Sequence, residues 1–188
     1  MKTWLLVRLQ LLLGIAVLML LVQVGNSLSG YSLNIWGVIP RRLESLPGIV
    51  FAPWLHGSWA HLLSNLSGLL VLGLLALLES RRDFIKASVA IVLGSGLLVW
   101  AFGREGIHVG ASGWLFGLWS LLLARAWFRR SWLDLLLAVL LLLLHGGWVF
   151  GLLPQQGISF EYHLAGVLCG GLYAAWRYSP RQRQQPGG

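Results

Sequence analysis

Six apolar stretches divide the chain, at about residues 4–24, 58–78, 84–102, 111–128, 132–150 and 160–178. Each is close to the roughly 20 residues that a helix needs to cross a hydrocarbon core. The pattern predicts an all-α, polytopic membrane protein with six transmembrane helices and a single membrane domain over residues 1–178. The fourth and sixth stretches are short and contain glycine, as suits helices held inside a bundle. The first is longer than the 7–15 apolar residues of a signal peptide core, and Gln10 and Gln23 lie within or beside it. It is expected to be a retained span. Residues 179–188 are Gln, Arg, Pro and Gly around one Ser, a composition that predicts a disordered cytoplasmic tail.

Composition removes the ordinary soluble classes. Of 188 residues, 57% are hydrophobic and 11% charged, against about 25% charged in soluble domains. The net charge of +8 raises nucleic-acid binding, but its distribution gives another reading. With a cytoplasmic N-terminus, the inner side receives Lys2, Arg8, Arg81, Arg82, Lys86, Arg125, Arg129, Arg130, Arg177, Arg181 and Arg183. The outer side receives Arg41, Arg42 and Arg104. This asymmetry is a topology signal; it puts both termini in the cytoplasm and leaves no nucleic-acid footprint. One cysteine, Cys169, excludes a disulfide framework and a cysteine zinc site. The histidines lack ligand spacing, so no metal or other cofactor is implied.

The first outer loop, about residues 25–57, is long and apolar. It holds Trp36, Ile39, Leu43, Leu46, Ile49, Phe51 and Trp54, broken by Pro40, Pro47 and Pro53. Two readings fit equally: short helices lying in the headgroup region, or a cover over the bundle.

Polar residues inside spans are functional candidates, because hydrocarbon penalises them. Their depth follows from the rise of about 1.5 Å per residue, measured from the nearest inner arginine. Ser112 lies about 20 Å above Arg125, and His163 about 21 Å above Arg177. Asn65 and His61 lie about 24 and 30 Å above Arg81. All four fall in the outer half of the membrane. His61 and Asn65 are four apart and share a helix face. A serine and a histidine on different helices are the minimum for nucleophilic catalysis. Two neutral donors and the Ser112 N–H at a helix start suit an oxyanion. Depth alone leaves His145 as a rival base, about 23 Å above Arg130. Glu161 adjoins His163, but neighbours on a helix do not face each other, so it reads as an outer-surface charge.

Small residues surround the pair. Gly113 and Gly117 follow Ser112; Gly166 and Gly170 follow His163. Each pair has the Gly-x-x-x-Gly spacing that lets membrane helices approach closely. His145 is followed by Gly146 and Gly147 but lacks a glycine three residues on, where His163 has Gly166, and this favours His163 as the base.

These motifs resemble the rhomboid family of intramembrane serine proteases, in its bacterial six-span form. The resemblance rests on Gly110-Ala111-Ser112-Gly113, on His61-Leu62-Leu63-Ser64-Asn65 and on His163-Leu164-Ala165-Gly166. It covers nearly the whole chain and implies a rhomboid-like bundle in a bacterial inner membrane. It implies Ser112 as nucleophile, His163 as base, and His61 and Asn65 as oxyanion donors. It gives Gly110, Gly113, Gly166 and His56 supporting roles and stacks Phe116 on the imidazole. Transmembrane protein substrates and the lipid bilayer are the implied partners. The chain departs from the family pattern in three places. No Trp-Arg motif is evident in the first outer loop, Phe116 stands where Tyr is frequent, and Tyr162 stands where a small residue is common. Two alternatives keep the same fold: a non-catalytic rhomboid-like protein binding membrane clients, and a rhombosortase-like enzyme processing C-terminal tails.

Overall fold

A computed structural model describes residues 2–155 and 157–179. The tail expected to be disordered lies, from residue 180 onward, outside the described residues. Among the described residues the chain is helical, with no strand. Its long helices are α1 (Lys2–Leu28), α2 (Trp59–Leu77), α3 (Arg81–Phe102), α4 (Ser112–Arg129), α5 (Trp132–His145) and α6 (Phe160–Tyr178). A 3₁₀ segment, Gly146–Leu152, continues α5, and α2 contains a π-helical stretch at Leu69–Gly73.

Local chemistry sets several boundaries. Ser58, Ser80 and Ser131 each cap a helix, accepting from the N–H of His61, Asp83 and Asp134. Such caps satisfy donors that the first turn leaves free. Helix α1 runs a turn beyond its apolar stretch. Asn26 there donates to Asn34 Oδ1 (3.0 Å) and to the His56 carbonyl (3.1 Å), so polar residues have partners past the apolar run.

Four helical segments are long and apolar enough to cross a membrane: Leu6–Leu28, Trp59–Leu77, Arg81–Phe102 and Trp132–Leu152. Helices α4 and α6 fall outside that set. Helix α4 is the most enclosed, packing on α2, α3, α5 and α6, with Trp114, Leu115, Phe116, Leu118, Trp119, Leu121 and Leu122 all buried. A helix wrapped by others needs less lipid-facing apolar surface. The lipid-type surface lies elsewhere: Leu13, Leu21, Leu136, Leu143, Leu168 and Leu172 are exposed.

The tightest contact joins α4 to α6. A Cβ on Gly166 would run into the Gly113 carbonyl, and one on Gly170 into the Gly117 carbonyl. The Ser120 hydroxyl donates across the same seam to the Val167 carbonyl (2.8 Å). Backbones this close maximise dispersion where apolar burial gives helices no net attraction. Cys169 lies against Gly94 of α3, as a packing residue.

The two ends of the bundle differ. At one, Arg125 is buried and pairs with Asp134 (2.9 Å) and Glu79 (3.3 Å). Arg129 meets the same two acids (3.4 and 3.1 Å), and Tyr178 donates to Glu79 (2.9 Å). At the other end the loop between α1 and α2 straps the bundle. Val38 and His108 exchange backbone hydrogen bonds (3.0 and 2.8 Å). Arg41 donates from its backbone to the Trp100 carbonyl (2.8 Å) and from its guanidinium to that of Gly103 (2.9 Å). Within this loop Val38 and Ala52 are buried, so it packs over the end of the bundle, while Ile35, Trp36, Leu43 and Phe51 face outward.

The glycine seam predicts a contrast within one helix. Gly166→Ala pushes α4 from α6 and lowers stability by about 1–3 kcal/mol, the range for overpacking. Gly171→Ala, with nothing within 4 Å of its added carbon, leaves stability unchanged or slightly raised through helix propensity. Unfolding in detergent micelles checks both; equal loss in the two variants contradicts the seam.

Candidate active site

The site is built at the strapped end. Ser112 is the first residue of α4, and the preceding Ala111 offers no side-chain cap. The serine hydroxyl is therefore not consumed in capping its own helix, and the first N–H groups of α4 have no intrahelical partner. Gly110, just before, has φ +116°, a conformation that side chains other than glycine rarely adopt. Its N–H donates to the Ala52 carbonyl (2.8 Å), which ties the turn to the covering loop. A Cβ on Gly110 would lie 2.6 Å from His61 Cε1 and 3.5 Å from Asn65 Nδ2. The missing side chain lets α2 bring both residues against the turn that carries Ser112.

His163 is buried on α6, with Nε2 2.9 Å from Ser112 Oγ. Its Nδ1 is 2.7 Å from the Gly151 carbonyl. A carbonyl only accepts, so Nδ1 carries the proton and Nε2 presents its lone pair to the serine. Phe116, one turn along α4 from Ser112, stacks on the imidazole at 4.1 Å and 9° between planes. Gly113 accommodates the Tyr162 ring, which a Cβ there would meet at 2.5 Å.

His61 and Asn65 line the same cavity as Ser112 and His163, a space of about 970 Å³. Asn65 is buried, and its Nδ2 has no partner among the described residues. A buried amide donor left unsatisfied in a cavity is available to a negative charge that develops there. His56 is fully buried and meets His61 edge to face, centroids 5.0 Å apart. Burial, and then the neighbouring His61, hold its pKa down at about 3, so it supports the wall as a neutral ring.

His145 does not reach the serine; it meets the edge of Trp148 at 5.3 Å. Glu161 pairs with Arg104, which also donates to the Ile158 carbonyl (3.2 Å). Three features were not read from the sequence. The Gly151 carbonyl has no side chain to mark it. Trp148, which packs on Phe116 at 4.8 Å, is one of eleven tryptophans. His108, in the loop between α3 and α4, is buried with Nδ1 2.6 Å from Ser159 Oγ and Nε2 2.9 Å from the Arg104 carbonyl. A histidine two residues before Gly110 was the available signal for that last contact. No cluster of metal-ligating side chains occurs among the described residues.

A helical membrane bundle enclosing a polar cavity, with a serine hydroxyl bonded to an imidazole, defines the class. Comparison then names the family. The Rhomboid domain model matches residues 44–180. An uncharacterized protein of Mycobacterium tuberculosis is 34% identical over 183 residues, covering 92% of this chain and 76% of that protein. One of Mycobacterium leprae is 34% identical over 178 residues, covering 89% and 70%. The chloroplastic Rhomboid-like protein 11 of Arabidopsis thaliana is 27% identical over 170 residues, covering 80% and 61%. The chain belongs to the Rhomboid family, and that membership supports intramembrane proteolysis at the level of the family.

The orphaned amide generates a prediction about stability. Asn65→Leu removes a buried donor without a partner, so it leaves stability unchanged or raises it by about 1 kcal/mol. Asn26→Leu strips Asn34 Oδ1 and the His56 carbonyl of a donor, and costs about 1–3 kcal/mol. Denaturant titrations in micelles that rank the two variants the other way round contradict this account of Asn65.

Proposed function

We propose that this chain is an intramembrane serine protease in which Ser112 is the nucleophile and His163 the general base. It hydrolyses peptide bonds of transmembrane proteins near the outer face of a bacterial inner membrane. Six helices, α1 to α6, cross the membrane as one domain, with both termini cytoplasmic. The short α4 crosses enclosed by the others, and α6 packs on α4 and α3 with Leu168 and Leu172 facing outward. The observation that carries this reading is the 2.9 Å contact between Ser112 Oγ and His163 Nε2 inside the cavity.

The chemistry follows from the tautomer. Ser112 Oγ attacks the scissile carbonyl carbon as its proton passes to His163 Nε2. The Nδ1–H stays on the Gly151 carbonyl and keeps the ring in plane. Charge on the tetrahedral oxygen is met by Asn65 Nδ2, His61 and the Ser112 N–H. Collapse breaks the C–N bond, and the proton on Nε2 leaves with the amine. Water, deprotonated by the same nitrogen, then frees the acyl group and restores the serine. A substrate helix must unwind locally, since its carbonyls are otherwise engaged. Small or helix-breaking residues are therefore expected near the cut.

Purified protein and a fluorophosphonate probe test the assignment. Wild type labels, Ser112→Ala does not, and His163→Ala labels at least about 10³-fold more slowly, as expected for loss of a general base. His145→Ala labels at the wild-type rate. Labelling that depends on His145 and not on His163 overturns the assignment of the base.

A further inference from the structure

The 3₁₀ segment Gly146–Leu152 reaches the proposed base once directly and once through the ring of Phe116. Its Gly151 carbonyl accepts from Nδ1 at 2.7 Å. Its Trp148 packs on Phe116 at 4.8 Å, and Phe116 is the ring stacked on the imidazole. We infer that Gly151 and Trp148 are positioning residues: the segment sets the tautomer and plane of His163, and the Ser112–His163 pair is reactive only while the segment is docked. The inference rests on the reading of Ser112 and His163 as nucleophile and base.

Among the described residues, the polar partners of the His163 ring are the Gly151 carbonyl and the Ser112 hydroxyl. The nearest acid in sequence, Glu161, is held by Arg104. Without the carbonyl, the ring proton is free to sit on Nε2. That tautomer turns a donor toward the serine and removes the base. A backbone group on a neighbouring element thus does the orienting task that a carboxylate performs in a three-membered arrangement.

The segment is fastened lightly. Gly146 and Gly147 have nothing within 4 Å of an added Cβ, and Val149 and Phe150 are exposed. Trp148 is its anchor, seated against Gly68 of α2. A Cβ on Gly68 would lie 3.0 Å from the indole Cη2, so the berth exists because position 68 has no side chain. Trp148 and the Gly151 carbonyl join this segment to α2, α4 and α6 around the cavity. Displacing it uncovers the cavity and disarms the base in the same movement.

A segment that is only a cover predicts the opposite sign from one that positions the base. The readout is kinact and KI for a fluorophosphonate on the full chain in micelles, a probe too small to need the segment to move. Trp148→Ala and Gly151→Ala are each expected to lower kinact about tenfold or more with little change in KI. In the second, the new methyl meets Phe116 Cζ at 3.0 Å and His163 Nδ1 at 3.3 Å and pushes the carbonyl off the ring. Trp148→Phe restores most of the rate, and Leu143→Ala, at an exposed lipid-type position, changes nothing. Wild-type or faster labelling of Trp148→Ala and Gly151→Ala overturns the inference while leaving the serine and histidine assignment intact. Absence of labelling in wild type overturns that assignment instead. If Trp148→Ala does not fold, Gly151→Ala decides alone, since it adds one methyl and removes nothing.

Discussion

The approach of α4 to α6 is the contact on which the site depends. The Gly113 and Gly117 carbonyls lie where side chains on Gly166 and Gly170 would be. Ser112 adjoins the first of these glycines, and His163 stands three residues before its partner on α6. The 2.9 Å contact between their side chains is therefore a direct reading of the backbone spacing. One added methyl at the seam moves the two helices by about as much as a hydrogen bond tolerates. Hydrocarbon gives helices no apolar reason to associate, so close packing and the Ser120–Val167 bond supply what holds this pair.

The ends of the bundle are held by different forces. Arg125, Arg129, Glu79 and Asp134 form an ionic knot with little water around Arg125 and Asp134. Removing one partner of such a group costs about 3–5 kcal/mol. The end that carries the cavity has neutral backbone contacts and one exposed ion pair, Arg104–Glu161, and exposed pairs contribute at most about 1 kcal/mol. Helix α5 spans this gradient. Asp134 fixes its first turn in the knot, and Trp148 and the Gly151 carbonyl seat the segment that follows its last. Movement is then cheapest beside the cavity and dearest at the knot.

Much of this was legible in the sequence, and the exceptions have a common cause. Apolar runs located the long helices to within a few residues, because lipid imposes one length on each. Depth counting brought Ser112, His163, His61 and Asn65 to one level, because rise along a helix is fixed by geometry. Depth could not separate His163 from His145, since rotation about the helix axis decides which ring faces the serine. The burial of Arg125 was also hidden: a cytoplasmic arginine and a knotted one look alike until Glu79 and Asp134 arrive from other elements. The contact of His108 with Ser159 was hidden because its partner is 51 residues away. The Gly151 carbonyl had no letter at all.

A carbonyl in place of a carboxylate suits the setting. In the proposed mechanism, an acid beside Nδ1 would stabilise the imidazolium formed on proton transfer from the serine, but it would stand ionised and unpaired among buried rings. Burying such a charge costs several kcal/mol even after relaxation. The Gly151 carbonyl gives orientation and tautomer without that penalty, and it stabilises the imidazolium less. More of the barrier must then be lowered on the oxyanion side. The resting structure is consistent with that division: among the described residues, an unpaired amide, that of Asn65, lines the cavity beside Ser112, and it is neutral. A neutral donor without a partner costs about 1–3 kcal/mol, which a marginally stable fold can carry. In a membrane bundle, a site prepared with unpaired dipoles is the one that can wait for substrate without unfolding.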